Sequence, residues 1–97
     1  MKIWDKELLD NYASKHSDIA NALQKWVNII EEISWKSHAE LKFYFPTADY
    51  VGNNRYVFNI KGNNYRIVAV VVFISGILKI RFIGTHAEYS KINCKTI

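Results

Sequence analysis

Apolar side chains recur at helical spacing along the first third of the chain. Over residues 5–16, Leu8, Leu9, Tyr12, Ala13 and His16 return every three or four positions behind an acidic first turn. This pattern predicts a short amphipathic helix with Asp5 as its N-cap. After Ser17 or Asp18 the pattern strengthens: Ile19, Leu23, Trp26, Ile30 and Ile33 repeat at intervals of 4, 3, 4 and 3. A helix with such a stripe must dock it on another element. Trp4, Trp26 and Trp35 are most simply core or edge-of-core aromatics. Ser37-His38-Ala39-Glu40 has the spacing of a capping box, and Leu41, Phe43 and Phe45 follow before Pro46 ends the element. Either a short helical turn or a short strand fits there.

From Arg55 onward the period changes to two. Tyr56, Phe58 and Ile60 alternate with Arg55, Val57, Asn59 and Lys61, as in a half-buried strand. Lys61-Gly62-Asn63-Asn64 reads as a hairpin turn, Tyr65–Ile74 as a β-branched central strand, and Ser75-Gly76 as the next turn. Over Ile77–Ile83, Leu78, Ile80 and Phe82 fall on one face and Lys79 and Arg81 on the other; Gly84-Thr85-His86 breaks the strand, and residues 87–93 suit a closing turn of helix. The expected architecture is α+β: two N-terminal helices packed on one face of an antiparallel meander, without repeat or linker.

Composition narrows the class. A chain of 97 residues with 49% hydrophobic content suits one domain, residues 1–97. The longest apolar run, Ile67–Ile74, is eight residues, well short of the roughly 18–20 a membrane helix requires. Asp5, Lys6 and Glu7 sit where a secretory signal would carry its apolar stretch, and Cys94 is the single cysteine. A cytoplasmic protein with no membrane span, internal disulfide framework or multi-cysteine metal cage is expected.

Charge adds an asymmetry. Residues 1–33 carry two more acidic than basic side chains, whereas residues 50–97 carry Arg55, Lys61, Arg66, Lys79, Arg81, Lys91 and Lys95 against Glu88 alone, an excess of six. Such a field attracts polyanions, RNA or DNA foremost, and it equally suits an acidic protein segment. If the apolar strand positions face the helices, Asn59, Lys61, Lys79 and Arg81 project to the opposite face, and Arg66 joins them at its strand end. His86, just past a strand, carries an imidazole able to move protons near neutral pH, and Tyr89 would share its face in a helical turn. His16 and His38 read as capped or solvated residues. The chain has no phosphate-cradling glycine loop, nucleophile elbow or paired metal-ligand histidines, and its scattered carboxylates speak against a two-metal nuclease.

The stretch Tyr56-Val57-Phe58-Asn59-Ile60-Lys61-Gly62-Asn63-Asn64-Tyr65-Arg66-Ile67, with Arg81-Phe82-Ile83-Gly84-Thr85-His86-Ala87-Glu88-Tyr89, resembles the HigB toxins of the wider RelE-like group. The resemblance extends over nearly the whole chain, including Phe45-Pro46 and Asp49. It implies helices on an antiparallel sheet and an endoribonuclease that cuts messenger RNA on the translating ribosome. It also implies a cognate HigA-type helix-turn-helix antitoxin, through which alone the toxin would reach operator DNA. Its polar motif positions fall here on Asn59, Lys61, Arg66, Arg81, His86 and Tyr89.

Under that resemblance, cleavage proceeds without a metal or other cofactor. Arg66 and Arg81 are the candidates for holding the scissile phosphate, since a guanidinium meets two of its oxygens. His86 is the candidate general acid, Tyr89 orients substrate or stacks on a base, and Asn59, Lys61, Lys79 and Lys91 bind flanking RNA. Apart from His86 no motif residue is an evident base near neutral pH. The alternative class is a non-catalytic module whose basic face grips RNA or an acidic partner without cutting. Trp4, Tyr44 and Tyr50 are candidates for the antitoxin contact, although packing is the simpler role for each.

Overall fold

The computed structural model describes residues 1–97. In chain order it comprises β1 (Lys2–Trp4), α1 (Glu7–Lys15), a 3₁₀ turn (Ser17–Ile19), α2 (Ala20–Glu32), α3 (His38–Tyr44), β2 (Asp49–Gly52), β3 (Arg55–Ile60), β4 (Tyr65–Val72), β5 (Ile77–Thr85) and α4 (His86–Tyr89). The five strands form one sheet in the order β1-β5-β4-β3-β2. The α+β architecture and the meander β3-β4-β5 agree with the sequence reading. Two edge strands extend it: β2 pairs antiparallel with β3, and β1 pairs parallel with β5. No helix is long and apolar enough to cross a membrane.

The helical stripe buries as its spacing requires. Leu9 of α1, Ile19 of the 3₁₀ turn, and Leu23, Trp26, Val27 and Ile30 of α2 pack on Tyr56, Phe58, Ile60, Ile67, Ala69, Val71, Leu78 and Ile80 of the sheet. The segment around Leu41 is helical, because Ser37 Oγ accepts the N–H of Glu40 as an N-cap, while the Glu40 carboxylate reaches back to the N–H of Lys36. The Met1 ammonium donates to the carbonyls of Ile30 and Ile33, tying β1 to the end of α2.

Two expectations are corrected. Asp5 does not cap α1: the cap position is Lys6, which makes no side-chain cap bond. Asp5 instead adopts φ +63° and reverses the chain between β1 and α1, a conformation that Asp tolerates better than most residues. The second correction concerns β5. Its register with β4 shifts by one residue, with Val68 opposite Phe82, Ala69 opposite Ile80, and Arg81 unpaired between them. This bulge resets the alternation, so Phe82 shares a face with Val68, away from the helices, and Ile83 packs against the core.

On the face away from the helices, Val57 and Val68 are buried without belonging to the helix-side core. The chain after α4 crosses this face. Arg55 donates from Nε and Nη2 to the carbonyl oxygen of Ile97 at 2.9 and 2.6 Å, and Asn53 Nδ2 donates to that of Lys95 at 3.0 Å.

Candidate active site

Three sequence-predicted residues meet on this second face. Asn59 and Arg66 are direct partners across the β3–β4 ladder, and the Arg66 guanidinium carbon lies 4.8 Å from the centroid of the Tyr89 ring. That geometry is a cation–π contact, strengthened by partial burial. Arg66 Nε is buried without a partner, so the site holds a donor that an anionic oxygen could satisfy. Tyr89 donates its hydroxyl to Cys94 Sγ at 3.4 Å and lies beside Phe82, with ring centroids 6.5 Å apart. Burial, followed by the Cys94 contact, raises the phenol above its ordinary pKa against the opposing effect of Arg66. The hydroxyl therefore stays protonated at neutral pH.

α4 brings His86 to the same end of the sheet. Gly84 stands opposite Arg66, and two residues later the His86 N–H donates to the carbonyl of Asn64 at 3.2 Å. The His86 side chain is exposed. Thr85 caps this short helix in a full capping box: its hydroxyl accepts from the Glu88 N–H, and Glu88 Oε1 accepts from the Thr85 N–H at 2.8 Å. Glu88 Oε1 also accepts from Tyr12 Oη at 2.9 Å, so α4 is tied to α1. The Thr85-x-x-Glu88 spacing could have announced this from sequence, as Ser37-x-x-Glu40 did.

The remaining predicted residues lie elsewhere. Lys61, expected beside Asn59, sits in the β3–β4 turn with φ +54°, and its ammonium pairs with Asp18 at 3.2 Å on the helix side. Asp18 also accepts from Tyr65 Oη at 2.8 Å, and those two donors hold its carboxyl below the usual range. Arg81, expected beside Lys79, is turned by the bulge to the edge of β5, where it lines a groove against α1. Lys79 pairs at 3.9 Å with Asp5, while Lys91 is exposed and forms no ion pair. No three His, Cys, Asp or Glu side chains converge to hold a metal ion. Sequence reasoning passed over Tyr12, Asp18, Tyr65 and Glu88, whose clustering depends on contacts between residues distant in the chain.

The Glu88 bonds make a testable statement about pH. Its carboxyl is held below the ordinary value of 4.5, first by the Thr85 N–H and then by Tyr12. A carboxyl lowered on folding adds stability above its unfolded pKa, and that contribution disappears as pH falls through the folded value. Glu88→Gln should therefore lower the melting temperature at pH 7 and flatten its decline below about pH 4.5. Parallel melting curves of variant and wild type down to pH 2.5 would refute the tether.

Residues 19–92 match the HigB toxin family, described as the RelE-like toxic component of a toxin–antitoxin system. The chain is 31% identical over 94 residues to the mRNA interferase HigB of Escherichia coli O6:H1 strain CFT073, covering 95% of this chain and 91% of that one. It is 35% identical over 92 residues to the mRNA interferase toxin HigB of Escherichia coli K12, covering 92% and 88%, and equally so to the mRNA interferase HigB of Shigella flexneri. With the match spanning most of its length and the helix-backed sheet in place, the chain belongs to the HigB family of RelE-like toxins.

Proposed function

We propose that this chain is the toxin of a type II toxin–antitoxin pair, a cytoplasmic endoribonuclease that cleaves messenger RNA on the translating ribosome. The observation that carries this reading is Arg66, seated on Tyr89 beside Asn59 with a buried N–H to spare, in a chain whose relatives are mRNA interferases. Cleavage begins with attack of a 2′-oxygen on the adjacent phosphorus as its proton passes to solvent water. Arg66 donates to the phosphate oxygens and opposes the charge that grows on them. His86 in its protonated form donates to the departing 5′-oxygen as the P–O bond breaks, leaving a 2′,3′-cyclic phosphate and a 5′-hydroxyl. Tyr89, protonated, holds Arg66 in place and offers a ring face to a base, while Asn59, Lys79 and Lys91 bind flanking RNA. Lys61 and Arg81 stand outside this site, one engaged by Asp18 and the other turned to the strand edge. A HigA-type helix-turn-helix antitoxin neutralises the toxin and carries the pair to operator DNA.

Mapping RNA ends after incubating the purified chain with translating ribosomes tests the proposal. New 5′-hydroxyl ends are expected inside the message, with Arg66→Ala reducing their rate of appearance by about 10²–10³-fold. Intact message, or equal cleavage by Arg66→Ala, would refute the assignment.

A further inference from the structure

Trp4 is placed differently from the other two tryptophans. Trp26 and Trp35 are 3% and 0% exposed, each packed against other aromatic rings, whereas Trp4 is 46% exposed and pairs with no aromatic ring. Its position in β1 explains this. Ile3 packs against the helix-side core, so alternation turns Lys2 and Trp4 to the face that carries Asn59 and Arg66. Trp4 stands directly opposite Lys79, and Lys79 opposite Val70, four residues from Arg66 along β4. At roughly 3.3 Å per residue and about 4.8 Å per strand, the backbones at Trp4 and Arg66 are about 16 Å apart on one face.

The chain after α4 leaves this part of the face open. Arg55 and Asn53 hold its end on the β3 side, and Val57 and Val68 are buried, whereas Val70, Val72 and Ile77, toward β1, are only partly buried. Charge defines the occupant. Lys2 is exposed and in no ion pair, and Lys79 has only Asp5, at 3.9 Å. An open indole flanked by ammonium groups complements a single-stranded polyanion whose bases stack and whose phosphates meet cations. The other exposed aromatic rings do not share this face: Phe43 and Tyr44 lie on α3, and Tyr50 stands opposite Tyr56, a member of the helix-side core.

We propose that Trp4 is a base-stacking subsite for the message, a few nucleotides from the phosphate held at Arg66, with Lys2 and Lys79 on the phosphates that flank the stacked base. The proposal rests on the reading of the chain as a ribonuclease acting on messenger RNA. Stacking requires only a π face, so the subsite accepts any base and adds affinity without fixing a sequence.

A ten-nucleotide RNA methylated at every 2′-oxygen, which no 2′-attack can cleave, is the probe for the full chain. Because Trp26 and Trp35 are buried, the tryptophan emission most open to acrylamide comes from Trp4. Bound RNA should quench that emission and shield it from acrylamide. In titrations of a 5′-labelled probe, Trp4→Leu should weaken binding about tenfold and Trp4→Phe should recover most of the loss. An abasic spacer at one probe position should cost wild type about tenfold and Trp4→Leu almost nothing. The wild-type quenching and Trp4→Phe keep the test decisive if Trp4→Leu fails to fold. Trp4 emission unchanged by the RNA, or wild-type affinity in Trp4→Leu, overturns the subsite. So does loss of antitoxin binding in Trp4→Leu with RNA affinity intact, since the ring would then serve a protein. RNA ends mapped on ribosomes report the nuclease separately: cleavage by a chain whose Trp4 ignores RNA refutes the subsite alone, and stacking without cleavage refutes the nuclease alone.

Discussion

His86→Ala is expected to lower single-turnover cleavage by about 10²–10⁴-fold, the usual contribution of a positioned acid or base. Folding should not change, because the side chain is exposed and the contact that anchors the residue is its backbone N–H to Asn64. Because His86 and Arg66 act on one transition state, their losses should be less than additive in the double variant. A wild-type rate in His86→Ala would remove the histidine from the chemistry.

The largest expected effect on stability comes from Phe58→Ala. Phe58 is 1% exposed and takes edge-on contacts from both Trp26 of α2 and Phe45 beyond α3, each with ring centroids 5.3 Å apart. Truncating such a side chain removes its burial and leaves a cavity that three elements must share, a loss of about 3–5 kcal/mol. Against a typical total of about 5–15 kcal/mol, this leaves a marginal protein. Urea unfolding should show a lower midpoint with an unchanged slope, and cleavage should fall only in proportion to the folded fraction. A destabilisation below about 1 kcal/mol would mean that the helix-facing surface has been assigned to the wrong residues.

Much of the fold is legible in the order of residues, for reasons that differ between elements. The stripe from Ile19 to Ile30 and the alternation of Tyr56, Phe58 and Ile60 are long enough to express a period, and all of these residues are buried. β1 escapes notice because three residues, Lys2–Trp4, cannot display an alternation, and its partner Ile77–Lys79 is at the far end of the chain. β2 escapes because it is four residues long and broken by a register shift between Tyr50 and Gly52. The site divides in the same way. Asn59 and Arg66 are separated by one hairpin, so local pairing places them together. Lys61 departs because its left-handed backbone points it toward Asp18, a partner from the helical half. Arg81 departs because an extra residue in one strand leaves no mark on composition or periodicity.

That extra residue also determines where the family could gain or lose length. Deleting Arg81 would leave Val68 opposite Phe82 and Ala69 opposite Ile80, and would convert β5 into an uninterrupted strand with its inward side chains unmoved. A deletion at Lys79 would slide part of β5 by one position and send Leu78 or Ile80 to the opposite face. Among homologues, a one-residue gap in β5 should therefore fall at the Arg81 column, and a chain carrying that gap should keep the scaffold while losing the outward-turned cation.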